Sequence, residues 1–363
     1  MKKGITVFLV LLVLASGIAM AAGRQDTAPA EEEPFKVAFI YVGSPVDYGW
    51  TFEHDMARKA VEAEFGDAVE TAYVENVTVG DVSRILNQFA QQGYQIVFGN
   101  SFGYMDYMAE AAEEYPDIYF EHCSGYQLGP NKANYFGRMY QARYLSGIAA
   151  GAMTETDQIG YVAAFPIPEV IRGINAFTLG AQKVNPNVQV RVVWTNTWFD
   201  PAREREAAES LLDAGVDIIA QHQDTTEPQR AAQDRGAYSV GYHSDMRSFV
   251  GDSVLSSAVW DFSNYYIDRV RAAMDGTWES GAYWGNLDDG VVGLAEFSPL
   301  VSQDVRDIVA QEKEKIISGA WDVFHGPVRN QQGEVLVPAG TAMTDAEMLG
   351  MIFFVEGVVG RID

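Results

Sequence analysis

From residue 35 onward, short apolar segments alternate with segments whose apolar residues recur at helical spacing. The first apolar segment, residues 36–42, is short and bounded enough to be a buried parallel strand. Residues 51–65 then place Phe52, Met56 and Val61 on one helical face. This alternation predicts βαβ units, and hence an α/β fold with mostly parallel sheets flanked by helices.

The same rhythm runs through two successive sets of elements, which predicts two similar lobes. Predicted strands are 37–42, 69–74, 96–99, 118–121, 133–136, 159–163, 188–194, 216–220, 238–241 and 253–259. Predicted helices are 51–65, 81–92, 102–115, 141–153, 169–184, 201–214, 227–236, 264–274 and 302–318. The tail adds a hairpin around residues 330–333 and an apolar segment at 348–359.

The amino terminus has the pattern of a secretory signal over residues 1–21. Lys2 and Lys3 precede an apolar run at residues 5–14, and small residues end it at Ala21. Ile18 stands where a lipoprotein signal would have its cysteine. Residues 22–34 are typical of a flexible leader. We therefore expect a periplasmic protein without a lipid anchor.

Length, charge and cysteine content narrow the class of protein. The remaining chain of about 330 residues suits two lobes better than one core. The formal net charge of −25 argues against nucleic acid and anionic membrane surfaces as partners. Cys123 is the single cysteine, so no intrachain disulfide can form.

One stretch has the spacing of a catalytic motif. Residues 99–103 read Gly-Asn-Ser-Phe-Gly, which matches a nucleophile elbow centred on Ser101, with His243 and His325 as available bases. No oxyanion segment of the HGGG type precedes it, and a chain with 34 glycines produces such matches easily. Metal-ligand spacings, a Walker loop and a dinucleotide fingerprint are absent from the sequence, so we expect no enzyme, no metal and no cofactor.

Aromatic and small polar residues concentrate in loops that follow the predicted strands, where α/β folds bind ligands. In the first such loop, Asp47, Tyr48 and Trp50 would lie at the mouth of a cleft, or alternatively only cap the next helix. Aromatic walls with a few carboxylates and hydroxyls suit a flat, neutral ligand such as a purine. The other loops are 100–102, 165–166, 195–200, 224–226, 242–245 and 260–261.

Several of these segments together resemble the basic membrane protein family of ABC-transporter solute-binding proteins, which includes purine nucleoside receptors. The resemblance covers about residues 35–360, and its segments are 43–50, 185–186, 198–201, 212–219, 241–245 and 255–259. It implies a two-lobed periplasmic-binding fold of the first type, with the ligand between the lobes and crossovers near Arg138, Trp260 and Trp284. Lobe 1 would comprise 35–138 plus 261–284, and lobe 2 would comprise 139–260 plus 285–363.

The resemblance also implies roles for individual residues. An aromatic of the Trp198 loop would stack on a base, Asp47 would read its edge, and Asp245 matches a ligand-binding aspartate of the family. Trp260 stands where nucleoside receptors carry a lysine suited to ribose, which favours a free nucleobase such as adenine. The complete set of candidate ligand-binding residues is Asp47, Tyr48, Trp50, Ser101, Phe102, Phe165, Trp198, Phe199, Thr225, Asp245 and Trp260.

The expected function is therefore capture of a purine and its delivery to an ABC permease in the inner membrane, by a monomer. Two alternatives stay open. One is a serine hydrolase that uses Ser101. The other is a sensor protein that presents its ligand to a membrane receptor.

Overall fold

The computed structural model of the chain describes residues 33–362. The predicted signal peptide, residues 1–21, lies outside these residues, as does the predicted leader up to residue 32. From Pro34 onward the chain forms one compact unit. No helix among the described residues is long and apolar enough to cross a membrane.

The first sheet has six strands, all parallel, in the order β11-β5-β4-β3-β1-β2. Val37, Phe39 and Ile40 of β1 are fully buried, because both faces of this central strand are covered. The strands are β1 Phe35–Ile40, β2 Val69–Val74, β3 Ile96–Gly99, β4 Tyr119–Cys123, β5 Lys132–Gly137 and β11 Ala282–Gly285. The helices between them are α1 Trp50–Phe65, α2 Val82–Gln91 and α3 Met105–Glu114.

The second sheet has seven strands in the order β12-β10-β9-β8-β6-β7-β15, with only β12 antiparallel to its neighbour. The strands are β6 Gln158–Ala163, β7 Gln189–Trp194, β8 Ile218–His222, β9 Tyr238–His243, β10 Val254–Trp260, β12 Val292–Leu294 and β15 Val358–Val359. The helices from the first crossover onward are α4 Met139–Met153, α5 Pro168–Val184, α6 Pro201–Asp213, α7 Glu227–Asp234, α8 Arg247–Val250, α9 Ser263–Met274 and α10 Gln303–Ile317.

The chain passes between the two sheets three times. It leaves the first sheet after Gly137, returns after Trp260 through α9, and leaves again after Gly285. Helix α9 packs against α1 of the first sheet, so that stretch belongs with the first set of elements. The limits predicted for the two lobes stay a prediction.

Most predicted elements are present with ends shifted by a few residues, and the βαβ rhythm is confirmed. The strands β11, β12 and β15 were missed because they have two to four residues each, too few to show a period. The tail contains the predicted hairpin, as β13 Val328–Arg329 and β14 Val335–Val337, followed by α11 Asp345–Leu349. Cys123 is a buried free thiol.

Small residues bring α4 and α5 into close contact beneath the second sheet. A Cβ on Gly147 would lie 2.1 Å from the Phe177 carbonyl oxygen, and one on Gly180 would lie 2.0 Å from the Tyr144 carbonyl oxygen. Backbone therefore meets backbone at these positions, and only glycine fits. The contact fixes the start of α5, which carries one wall of the cavity described next.

Candidate functional site

A cavity of about 470 Å³ lies between the carboxyl ends of the two sheets. This size falls within the usual range for small-molecule sites. Loops after β1, β2, β3 and β4 form one side. Loops after β6, β7 and β8 with the last residues of β8 and β9 form the other, as expected for parallel α/β sheets. Its lining residues are Val42, Trp50, Val79, Asn100, Ser101, Phe102, Gly103, Ser124, Phe165, Pro166, Ile167, Glu169, Trp198, His222, Asp224 and His243.

Aromatic rings from both sheets wall the cavity. The Trp50 indole nitrogen donates a hydrogen bond to the Asn100 carbonyl oxygen at 2.7 Å, which fixes the ring at the first strand end. On the opposite side, the rings of Phe165 and Trp198 lie with centroids 5.1 Å apart. Phe102 is about half exposed and borders the opening. These faces can stack on a planar ligand.

Asp224 and His243 form a fixed polar pair in the cavity wall. The Trp260 indole N–H donates to His243 Nδ1 at 3.1 Å, so the ring proton is on Nε2, which donates to Asp224 Oδ1 at 3.0 Å. Burial lowers the pKa of His243 well below its usual value and keeps the ring neutral. Burial, with the nearby Glu169 charge, raises the pKa of Asp224.

Glu169 is the second carboxyl group of the cavity and lies in the first turn of α5. Its Oε1 is 3.5 Å from His222 Nε2, and no lysine or arginine in the described residues forms an ion pair with it. Burial raises the pKa of Glu169, and the positive charge of Arg172 partly offsets this rise. Two carboxyl groups without a cationic partner favour a ligand that offers N–H or O–H donors.

Asn100 supplies a donor. Its Oδ1 accepts a hydrogen bond from the Val42 backbone N–H at 2.8 Å, which orients the amide. Its Nδ2 is buried and has no partner among the described residues. An unpaired buried donor is costly, so this N–H is available to a ligand acceptor.

Ser101 lines the cavity but has no catalytic partner in the described structure. Its backbone is extended, with φ −135° and ψ 137°, rather than sharply strained as in a nucleophile elbow. His122 Nε2 lies 2.8 Å from the Ser101 carbonyl oxygen, not from Oγ. Both ring nitrogens of His243 are already engaged, and His325 does not line the cavity.

Asp47, predicted as a ligand contact, binds the start of α1 in this structure. Its carboxylate accepts hydrogen bonds from the backbone N–H groups of Gly49, Thr51 and Phe52, at 2.8 to 3.0 Å, and it does not line the cavity. Both oxygens therefore serve the amino terminus of α1, where backbone donors have no partner within the helix. The sequence left this alternative open.

Tyr48 and Trp260, also predicted as ligand contacts, lie outside the cavity lining in this structure. The Tyr48 ring packs on Phe249 with centroids 4.5 Å apart, and Ser244 Oγ donates to the Tyr48 carbonyl oxygen. Trp260 is 2% exposed and stacks on Phe262 behind His243. The indole thus orients a cavity histidine.

Three more predicted residues lie away from the cavity in this structure. Thr225 is buried and its hydroxyl donates to Glu204 Oε2 at 2.5 Å. Asp245 accepts from the Arg247 backbone N–H and from Ser248 Oγ, so both of its carboxylate oxygens are engaged at the start of the short helix α8. Phe199 is about half exposed beside the Trp198 loop.

The structure therefore brings Trp50, Ser101, Phe102, Phe165 and Trp198 together and adds residues that sequence reasoning missed. The main additions are Asn100, Glu169, His222, Asp224 and His243. Each of these residues except Glu169 ends a strand or follows one within two residues. Their position at strand ends was the signal from which the sequence could have identified them. Within residues 33–362 there is no group of three or more His, Cys, Asp or Glu suited to a metal ion.

Two similar α/β units with an aromatic, partly acidic cavity between their strand ends define a binding protein for a small solute. The family described as ABC transporter substrate-binding protein, PnrA-like, matches residues 35–321. The chain belongs to this family, and the sequence-based recognition is confirmed. Proteins of this class bind small molecules outside the cytoplasm and deliver them to an ABC permease.

Relatives and solved structures agree with this class. A purine-binding protein of Brucella abortus is 43% identical over 95% of this chain and 99% of its own length. A putative ABC transporter glucose-binding protein of Haloferax volcanii is 42% identical over 92% of this chain and 83% of its own. An ABC transporter solute-binding protein from Aeropyrum pernix shares the fold, with a TM-score of 0.71 at 18% identity, over 82% of this chain and 93% of that one. The periplasmic-binding fold is confirmed.

Proposed function

We propose that the protein captures a purine and that its ligand is a free nucleobase such as adenine. The observation that carries this proposal is the cavity itself. Trp50, Phe165 and Trp198 offer flat apolar faces, while Asn100 offers a donor and Asp224 an acceptor. A purine has two faces to stack and edges that carry both donors and acceptors. The name of the Brucella relative supports the same ligand class.

The preference for a base over a nucleoside is supported by what the cavity lacks. No lysine or arginine is among its lining residues within the described chain, and the Trp260 N–H is used by His243. The aromatic walls offer the hydroxyls of a ribose few hydrogen-bond partners beyond the carboxyl groups of Glu169 and Asp224, so a ribose would be only partly paired. Phosphate groups would find no lysine or arginine among the lining residues of the described chain, which disfavours nucleotides.

The experiment is calorimetric titration of ligand-free protein, prepared by unfolding and refolding, with adenine, adenosine and glucose. We expect adenine to bind at least about tenfold more tightly than adenosine, which is about 1.4 kcal/mol. Tighter binding of adenosine would overturn the preference. If glucose binds and neither purine does, the proposed ligand class is wrong, and the ligand is the one that the name of the Haloferax relative suggests.

Glucose is the second candidate because of that relative. A hexose presents hydroxyls around its whole edge, and each needs a hydrogen-bond partner when buried. The cavity walls, by contrast, are formed mainly by apolar and aromatic side chains such as Val42, Phe102, Phe165 and Ile167. This balance favours the purine over the sugar.

We further propose that the protein acts as a periplasmic monomer that binds without breaking bonds. Ser101 lacks a base within hydrogen-bond reach in the described residues. We therefore expect no turnover of the ligand by wild type or by Ser101→Ala.

Export with cleavage near Ala22 and no acyl group is tested by mass spectrometry of the mature protein. Recovery of an acylated form would contradict the absence of a lipid anchor. Neighbouring permease and ATPase genes would favour transport over the sensor alternative.

A further inference from the structure

A second polar site lies behind the ligand cavity, at the contact between α4 and the second sheet. Arg143 of α4 is fully buried, and its guanidinium lies 3.5 Å from the centroid of the Tyr242 ring. Its Nε, Nη1 and Nη2 have no hydrogen-bond partner anywhere in residues 33–362. The Tyr242 ring offers no hydrogen-bond acceptor on its face, so an acceptor that is neither side chain nor backbone would remove much of the cost of burying this guanidinium.

Two other buried polar atoms point at the same place. The Tyr161 hydroxyl and His222 Nδ1 also lack partners among the described residues. A Cβ built on Gly173 would lie 3.8 Å from each of three atoms: Arg143 Nε, His222 Nδ1 and Tyr161 OH. These atoms therefore converge on one small space, here called the Arg143 chamber and bounded by Arg143, Tyr161, Gly173 and His222.

Gly173 is distinct from the other glycines of this helix contact. A Cβ on Gly147, Gly151 or Gly180 would meet backbone at 2.0 to 2.3 Å, so close packing explains those three. At Gly173 the nearest atoms are the three unpaired polar ones, at ordinary contact distance. Helix packing does not require this glycine, whereas an occupied chamber does, because a methyl group would fill part of it.

The balance of charge and of hydrogen-bonding capacity indicates what the occupant is. Glu169 feels the positive charge of both Arg143 and Arg172, Arg172 also acts on Asp345, and burial keeps His222 and His243 neutral. Arg172 already donates to the Met348 carbonyl oxygen, so the guanidinium that lacks hydrogen-bond acceptors is that of Arg143.

His222 Nε2 lies 3.4 Å from the Tyr242 hydroxyl. When Nε2 accepts from that hydroxyl, Nδ1 carries a proton and donates into the chamber. Arginine only donates, and a tyrosine hydroxyl can donate as well as accept, so donors outnumber acceptors in the chamber. A water molecule accepts few hydrogen bonds and carries no charge, whereas an anion satisfies several donors and neutralises the guanidinium.

We propose that the Arg143 chamber binds a small monovalent inorganic anion of the chloride class. His222 separates the chamber from the ligand cavity and borders both. The anion would thus stabilise the packing of α4 against the second sheet and hold His222 in one orientation. This site does not depend on which solute the cavity takes.

The first test is a crystal structure of the whole protein grown with sodium bromide, using the anomalous signal of bromine. We expect a peak within hydrogen-bonding distance of Arg143, Tyr161 OH and His222 Nδ1. Density that fits water, without an anomalous peak, would overturn the proposal.

The second test measures melting temperature against chloride at constant ionic strength, with gluconate as the replaced anion. Wild type should gain stability along a saturating curve.

Gly173→Ala and Tyr161→Phe should fold, since Gly173 has room for a methyl group and phenylalanine keeps the ring. Both should raise the chloride concentration at half-saturation at least tenfold. Gly281→Ala, directly before β11 and with nothing within 4 Å of the new Cβ, is the control and should match wild type. Chloride-independent melting of wild type, or unchanged curves in both variants, would contradict the anion site.

Discussion

Asn100 gives the cavity a donor whose position is set by the fold. Its Oδ1 is held by the Val42 N–H, so the amide cannot turn away, and Nδ2 remains buried without a partner among the described residues. A ligand acceptor placed there removes the cost of an unpaired donor. Asn100 is therefore the polar residue whose contribution to affinity can be tested most directly.

Asn100→Asp keeps the acceptor for Val42 and exchanges the free donor for an acceptor. We expect ligand affinity to fall by about 1–3 kcal/mol, because a ligand acceptor would then face a carboxylate oxygen. Asn87→Asp, in α2 away from the cavity, is the matched control. Calorimetry on both variants measures the effect, and wild-type affinity in Asn100→Asp would remove this residue from the ligand contacts.

Asp224 should make stability fall as pH rises. Burial and the charge of Glu169 raise its pKa in the folded protein above the usual carboxyl value of about 4. Between that value and the raised pKa, the folded protein holds a proton that the unfolded chain has released. The free energy of unfolding therefore decreases with pH in this window, by about 1.4 kcal/mol per pH unit for one full proton.

Asp224→Asn retains an oxygen to accept from His243 Nε2 but has no proton to lose. Its free energy of unfolding should exceed that of wild type by a margin that grows with pH through the window. Urea unfolding at a series of pH values measures this margin, and Asp67→Asn at an exposed turn controls for the loss of one charge. Parallel curves for Asp224→Asn and wild type would refute the prediction.

At the scale of elements, the α4–α5 pair determines where the second half of the cavity wall lies. Glycines let the two helix backbones touch, and α5 begins beside the cavity with Ile167 and Glu169. Its first turn is positioned from the far side, where Arg172 and Asn175 bind backbone carbonyls of the tail. A shift between α4 and α5 would therefore move a cavity carboxyl group.

Gly180→Ala tests this contact. Its Cβ would lie 2.0 Å from the Tyr144 carbonyl oxygen, so the helices must separate. We expect a loss of about 1–3 kcal/mol in the free energy of unfolding, as for other overpacked cores. Gly281→Ala, where nothing lies within 4 Å of the new Cβ, should change it by less than about 0.5 kcal/mol. Equal stability of the two variants in urea unfolding would contradict the account.

At the scale of the molecule, the loops of the two sheets touch across the mouth of the cavity. A Cβ on Gly49 would lie 2.3 Å from the Asp224 carbonyl oxygen, so glycine allows the first-sheet loop to approach the second sheet. Ser244 Oγ donates to the Tyr48 carbonyl oxygen at 2.5 Å, and Phe249 packs on the Tyr48 ring. These contacts hold the arrangement in which a ligand would be enclosed, as in hinge closure of binding proteins.

Ser244→Ala removes the hydrogen bond between the sheets without touching the cavity lining. We expect ligand affinity to fall by about 0.5–1.5 kcal/mol, the usual net value of one such bond, because enclosure of the ligand becomes less favourable. Ser248→Ala is the control, since that hydroxyl bonds only within its own loop. An unchanged dissociation constant in Ser244→Ala would show that this bond does not contribute to closure.

Local pattern was enough to predict the fold class. Alternating strand and helix periods predict parallel sheets, because parallel strands need crossover helices and are buried on both faces. The same rule places ligands at strand ends, so Trp50, Ser101, Phe165 and Trp198 were predicted in the region of the cavity. Very short strands such as β12 were not predictable, because three residues show no period and their pairing is set by distant neighbours.

Only the tertiary structure decided which strand-end side chains face the cavity. Asp47 turns to backbone donors of α1, and Asp245 accepts from the Arg247 backbone N–H, while Asp224 faces the cavity beside His243. All three aspartates follow a strand, so sequence position alone could not separate them. The orientation of each carboxyl group depends on which hydrogen-bond donors the folded chain brings within about 3 Å of it. For Asp224 that donor is His243, whose ring is itself held by the indole N–H of Trp260 on another strand.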